Sequence, residues 1–213
     1  MEVAIAGGHG KIGLLLGRLL VEREHTVLGL IRNPAQEDDL HAVGVEPVVC
    51  DLEGHDDVAE AVMGVDAVVF AAGAGPGSGG ERKRTMDLGG ALKLIWAAKT
   101  EDIRRYVMVS AMGAADPPAE GGDVYGEYLR AKAEADRELR ESGLDYTIVR
   151  PGRLTDEAPT GHVKIGERLE RGEIPRADVA AVLAAVLGAD NTIGKTFDLV
   201  SGDEPVVEAV AEL

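Results

Sequence analysis

Tyr128 and Lys132 stand one helical turn apart in Tyr128-Leu-Arg-Ala-Lys132, a spacing that puts a phenol and an ammonium on the same helix face. A nearby cation favours the phenolate. The pair is therefore expected to lower the Tyr128 pKa toward working pH and make the phenol a usable general acid or base. Ser110 closes the apolar run Arg105-Tyr-Val-Met-Val-Ser110, where its hydroxyl is placed to hold the carbonyl oxygen of a substrate. Tyrosine and lysine at this spacing also occur on ordinary exposed helix faces. Their weight here comes from following, in order, a glycine-rich turn and a strand-end serine.

That turn is Gly7-Gly-His-Gly-Lys-Ile-Gly13, set between the apolar run Val3 to Ala6 and the helix-forming stretch Leu14 to Leu20. Strand, glycine turn and helix together offer backbone N–H groups and the positive end of a helix dipole to a pyrophosphate. Side chains in place of the glycines would hold the phosphates away and push the helix off the strand. Gly7, Gly8, His9, Gly10, Lys11, Ile12 and Gly13 are thus the candidate dinucleotide site. An NAD-binding unit should end its second strand with an acid that accepts hydrogen bonds from the adenosine ribose. Arg32 occupies that place, and Glu37 and Asp38 come too late. An arginine pairs bidentately with a ribose 2′-phosphate and stacks on adenine, and Lys11 adds a second cation. NADP(H) is the expected cofactor; a solvated arginine at a strand end is the bland alternative. Two further strand ends fit the same ligand. Asp51-Leu52 offers a carboxylate to the adenine amino group and an apolar side chain to its face, and Ala71-Ala-Gly73 lets the backbone approach closely.

These residues need a frame, and the chain alternates strand and helix patterns to supply one. Strands are expected at 3–6, 26–31, 45–50, 66–70, 105–110 and 145–150. Helices are expected at 14–20, from Pro34, at 56–63, at 82–99 and at 124–142. A glycine loop at 73–80, with Pro76 and Ser78, reads as a mobile rim of the pocket. A second loop carries Pro117, Pro118, Gly121 and Gly122. Repeated βα units predict an α/β fold, a doubly wound parallel sheet of Rossmann type with helices on both faces. Residues 1–213 are read as one domain, with 152–213 forming a small substrate-side region. Arg82, Lys83 and Arg84 read as a solvated helix start or an anion attractor. Arg153 and His162 are rim candidates, and Asp178 is read as a structural residue near a helix N-terminus.

Composition narrows the partners. The chain carries 38 acidic and 22 basic residues, for a net charge of −16. Such a surface repels nucleic acid and anionic membranes, and either plain solubility or a salt-rich cytoplasm accounts for it. No stretch has the length and hydropathy of a membrane span, and no charged-then-apolar leader precedes the first strand. One cysteine, Cys50, and five histidines without ligand spacing predict neither disulfide nor metal site. A cytoplasmic protein acting on a small-molecule substrate is expected, with a homodimer left open.

The pieces Gly7-x-x-Gly10-x-x-Gly13, Arg32, Asp51-Leu52, Ala71-Ala-Gly73, Ser110, Tyr128-x-x-x-Lys132 and Leu144-Asp-Tyr-Thr-Ile-Val-Arg-Pro-Gly152 run across most of the chain. Together they resemble the short-chain dehydrogenase/reductase superfamily, in its atypical NAD(P)H-binding branch. The resemblance implies hydride transfer from NADPH to a small carbonyl, flavin or quinone-like acceptor. Tyr128 would donate the proton, Lys132 tune it and Ser110 orient the substrate, with Pro151 and Gly152 beside the nicotinamide. Asp87 departs from the pattern, standing where catalytic members carry an asparagine that supports a proton relay. Branch members similar to NADP-sensing regulators or to epimerases keep a non-catalytic sensor and an epimerase-like enzyme as alternatives.

Overall fold

The strands of the first half are apolar at both odd and even positions. In β1 (Glu2–Ala6), Val3 and Ile5 enter one core layer while Ala4 and Ala6 enter the other. A strand apolar on both sides is stable only when both faces of its sheet are covered. The computed structural model describes residues 1–75, 77–119 and 123–213 and shows that arrangement; Pro76, Gly121 and Gly122 of the two expected loops lie outside the described residues.

From the N-terminus come β1, α1 (Lys11–Val21), β2 (Thr26–Ile31), α2 (Glu37–His41), β3 (Glu46–Val49), α3 (Val58–Ala61) and β4 (Ala67–Phe70). Next are α4 (Gly80–Arg82), a π-helical stretch Lys83–Gly90, α5 (Ala91–Thr100), β5 (Arg105–Val109), α6 (Val124–Glu141) and β6 (Asp145–Pro151). The remainder forms β7 (Arg153–Thr155), β8 (His162–Gly166), β9 (Glu173–Pro175), α7 (Arg176–Leu187), β10 (Lys195–Ser201), β11 (Glu204–Pro205) and α8 (Val206–Ala211). Among the described residues, nine strands make the main sheet in the order β11-β8-β10-β6-β5-β4-β1-β2-β3, and β7 and β9 pair separately. Strand order reverses between β1 and β4, so the crevice at their carboxyl ends is where a ligand of such a sheet binds.

The sheet is Rossmann-like and mostly parallel, as expected, with β8, antiparallel to both β10 and β11, as the exception. Apolar residues of α1, α7 and α8 cover one face, and those of α3, α5 and α6 cover the other. The segment after Gly152 differs from the expectation. Its β7 and β9 pair apart from the main sheet, but β8, β10 and β11 extend that sheet, and α7 packs beside α1. Helix starts also move. The first begins at Lys11 rather than Leu14, because Gly10 already has the extended backbone of a cap. The helix expected over 82–99 is broken by the π-helical turn, where Asp87 is buried next to Gly89 and Gly90, both poor helix formers. Asp57 caps α3 by accepting from the Ala59 and Glu60 amides at 3.0 and 3.3 Å, so that helix starts two residues late. Among the described residues no helix is long and apolar enough to cross a membrane.

One strand residue has a role its position in the sequence hid. Arg105 opens β5 yet is 9% exposed, and it donates to the carbonyls of Val186 (2.5 Å) and Asp145 (2.8 Å) and to Thr192 Oγ1 (3.1 Å). It fastens the C-terminal end of α7, where a cation suits both the unpaired carbonyls and the dipole. Arg105→Leu removes the guanidinium donors from this buried junction, and urea denaturation is expected to show a loss of about 3 kcal/mol.

Candidate active site

Three backbone segments meet at the glycine turn. Gly7 has φ of +84°, and a Cβ there would lie 2.7 Å from the Ala72 Cα after β4. A Cβ on Gly8 would lie 2.7 Å from the Gly29 Cα in β2, and one on Gly13 would strike the Gly7 carbonyl oxygen. These glycines are required first by packing of the turn against its own sheet. Gly10 differs, since its Cβ would meet only the Gly7 oxygen, at 3.0 Å. It caps α1 without a side-chain hydrogen bond, and the first turn of α1 holds no acid. The helix N-terminus is therefore open to an anion, which is the geometry a dinucleotide pyrophosphate requires.

From this turn a cleft of about 980 Å³ runs along the carboxyl ends of β1, β4 and β5. Gly10, Lys11 and Ile12 line one end, Ala71, Ala72 and Gly73 the middle, and Ser110, Tyr128 and Lys132 the other end. It opens into a second cavity of about 670 Å³ that includes Met112, Pro151, Gly152 and Leu154 and shares Ser110 and Tyr128 with the cleft. The fold thus gathers residues spread from position 10 to position 152 around one continuous space.

Other expected residues sit differently. The His9 ring is held between Asp39 Oδ2 (2.7 Å) and the Gln36 side chain (3.0 Å). Asp51 uses its carboxylate locally, accepting from the Glu53 amide at 2.9 Å. Leu52 is buried in the core with Phe70 and Met86. Arg32 is half exposed and reaches Glu53 at 3.4 Å; Arg82 donates to the same carboxylate oxygen at 3.2 Å. Two guanidiniums therefore converge at the end of β2. Lys83 bonds the Gly75 carbonyl at 2.8 Å and lies 5.1 Å above the Tyr128 ring. His162 stays local, bonding Thr160, while Asp178 is fully buried and accepts from the Thr160 and Gly161 amides at 2.9 Å.

The buried end of the cleft corrects the sequence expectation for tyrosine. Lys132 is 3% exposed, donates to the Val109 carbonyl at 3.1 Å and pairs with Asp87 at 3.3 Å. Asp87, 1% exposed, is presented by the π-helical turn and also accepts from the Ala74 amide. The Lys132 charge is thus balanced by a carboxylate, while its Nζ stands 5.9 Å from the centre of the Tyr128 ring. Burial, reinforced by Asp87, Tyr125 and Asp136, pushes the Tyr128 phenol well above its ordinary value. These surroundings favour the neutral phenol, the form that can donate a proton. Ser110 is 2% exposed; its Oγ makes no hydrogen bond of ordinary geometry among the described residues, and the buried Asp136 carboxylate is the acceptor beside it.

Several site residues were invisible in the sequence. Asp156, after β7, joins Lys11 (2.5 Å) to Arg176 (2.6 Å) across the mouth of the cleft, and the Lys11 bond holds its carboxyl below the usual range. No spacing links residues so far apart. Tyr125 was findable, because it lies one turn before Tyr128 on α6 and its ring centre is 6.0 Å from that of Tyr128. Cys50 is excluded from chemistry by burial, which together with Asp56 and Asp51 pushes its thiol up to about 11. Among the described residues, no three metal-binding side chains cluster.

A glycine turn at the switch point of a parallel sheet, an open helix N-terminus and a cleft leading to Ser110 and Tyr128 define a nicotinamide dinucleotide-binding protein. The chain belongs to the NAD(P)H-binding family, whose model matches residues 7–190. It is 40% identical to a Bacillus subtilis protein described as an uncharacterized sugar epimerase, over the full length of both chains. A solved structure described as a putative NAD-dependent epimerase/dehydratase from Bacillus halodurans is also 40% identical, covers both chains fully and superposes with a TM-score of 0.94. Sanguinarine reductase from Eschscholzia californica is 27% identical, over 100% of this chain and 93% of that protein.

Replacing the carboxylate beside Lys132 tests the electrostatics directly. In the native protein Tyr128 should remain a phenol past pH of about 10. Asp87→Asn removes a charge that opposes phenolate and leaves Lys132 unbalanced, so Tyr128 should ionise at lower pH. Phenolate absorbance followed against pH, with Tyr128→Phe as the subtracted reference, reads the shift.

Proposed function

We propose that this protein is an NADP(H)-dependent reductase of the atypical short-chain dehydrogenase/reductase type, transferring hydride to a small carbonyl, flavin or quinone-like acceptor. The observation that carries the reading is the Ser110 hydroxyl. It lies beside the Asp136 carboxylate where the dinucleotide cleft meets the second cavity, and a buried hydroxyl without a well-formed hydrogen bond among the described residues is costly. A substrate oxygen placed there completes it.

The glycine turn and the α1 N-terminus would hold the pyrophosphate, and Ala71 to Gly73 would let the backbone lie close to the dinucleotide. The bound cofactor supplies the hydride. Ser110 donates a hydrogen bond to the acceptor oxygen and fixes its position. Tyr128 releases its proton to that oxygen as negative charge develops, and solvent at the open cavity returns it. Lys132, paired with Asp87, holds the Val109 carbonyl and the floor of the site in place. With an aspartate in that position, the asparagine-supported proton relay is not part of this scheme. Arg32 and Arg82 outnumber the single Glu53 carboxylate on which they converge, and that excess of one cation supports the 2′-phosphate of NADP(H) as the ligand there.

Oxidation of NADPH against a panel of aldehydes, quinones and flavins tests the reading. Tyr128→Phe should lower kcat by about a hundredfold. Tight NADPH binding with no turnover on any acceptor would favour the sensor instead. Arg32→Ala should cost about tenfold in kcat/KM for NADPH and leave NADH nearly unchanged.

A further inference from the structure

The second cavity has a chemical gradient that the reaction centre does not explain. Its inner end is Ser110 and Tyr128. Its walls are apolar, with Met112 and Leu154 on one side and Tyr125, 54% exposed, presenting an open aromatic face. Its outer rim carries three arginines, Arg153, Arg171 and Arg176. On a surface with 38 acids against 22 bases, three cations around one opening stand out.

Their pairing separates their roles. Arg176 is committed to Asp156 at 2.6 Å and helps close the dinucleotide cleft. Arg153 contacts Glu173 across the β7–β9 pair and is 70% exposed at its side chain. Arg171 is exposed and has no ion-pair partner among the described residues. With Asp156 set against Arg176 and Glu173 against Arg153, the three arginines leave one excess cation, Arg171. Moreover, Arg153 and Arg171 flank Gly172, whose carbonyl accepts from the Arg153 amide at 2.9 Å, so their backbones are held side by side.

We propose that the cavity binds a flat, conjugated acceptor carrying a carboxylate or phosphate group, with the anion held by Arg171 and Arg153. The reducible end lies at Ser110 and Tyr128, and the apolar body stacks on Tyr125. This rests on the reductase reading for the orientation of the acceptor, but the anion site itself is a matter of binding. Guanidinium groups suit both anions, since each accepts the planar fork of donors.

The test therefore uses binding to the NADP⁺-loaded protein, with probes matched except for charge. FMN against riboflavin isolates the phosphate, and anthraquinone-2-carboxylate against its carboxamide isolates the carboxylate. Calorimetric titration at low salt should show at least one charged member bound about tenfold more tightly than its neutral partner, with the preference shrinking as salt is added. Arg171→Gln with Arg153→Gln should bring that ratio close to one, and Arg171→Lys should keep part of it. Arg140→Gln, in the last turn of α6, should leave it unchanged. Equal affinity within both pairs, no binding of either charged probe, or a preference that survives loss of both arginines overturns the proposal. A charge preference without NADPH turnover on any acceptor would uphold the anion site while rejecting the reductase.

Discussion

Contact between bare backbones at the glycine turn is the constraint on which the rest of the structure hangs. The turn lies so close to the ends of β2 and β4 that a methyl group at Gly7 or Gly8 would sit 2.7 Å from a neighbouring Cα. That closeness lets α1 begin at Lys11, directly over the sheet, and aims its first amides into the crevice between β1 and β4. The glycines serve the ligand by an indirect route, in which tight helix-on-strand packing creates the anion site. Because the same packing brings β4 and β5 beside the turn, Gly73 and Ser110 reach the cleft from separate strands.

The second organising feature is charge placed in a dry interior. Lys132 and Asp87 are both almost fully buried, and so are Arg150 and Asp136, which pair at 2.8 Å between β6 and α6. A buried pair contributes little net stability but is expensive to break, so its main effect is to fix geometry. Here the two pairs lock α6 against the π-helical turn and against β6, and α6 carries Tyr128. The phenol is thus held by neighbours whose charges cancel, in surroundings that disfavour its ionised form.

The sequence made the β1–turn–α1 unit legible because local chemistry dictates it: β-branched residues, then glycines, then leucines. It also revealed the strands of the Rossmann-like half, since residues such as Val68, Val69, Val107 and Met108 are apolar on both faces. Strands β8, β10 and β11 were missed because they are short or carry charged residues, such as Lys164, Lys195 and Asp198, and their pairing is decided by long-range contact. Tyr128, Lys132 and Ser110 were readable as a set. Their electrostatic relationship was not, because the balancing carboxylate, Asp87, comes from another helix. Lys11, Asp156 and Arg176 converge only through tertiary structure.

The π-helical turn at Lys83–Gly90 has a consequence for how this site can change. Such a turn accommodates one extra residue in a helix without displacing the helix ends. Removing one residue from it would let the segment relax to ordinary α-helix and swing the Asp87 position by roughly 100° about the axis. The carboxylate would leave the floor of the cleft while α5 stayed seated on the sheet. Deletion of a single residue between Asp87 and α5 would therefore take the carboxylate away from Lys132 and leave the scaffold intact, making the turn a point where the electrostatics of the cleft can change without refolding.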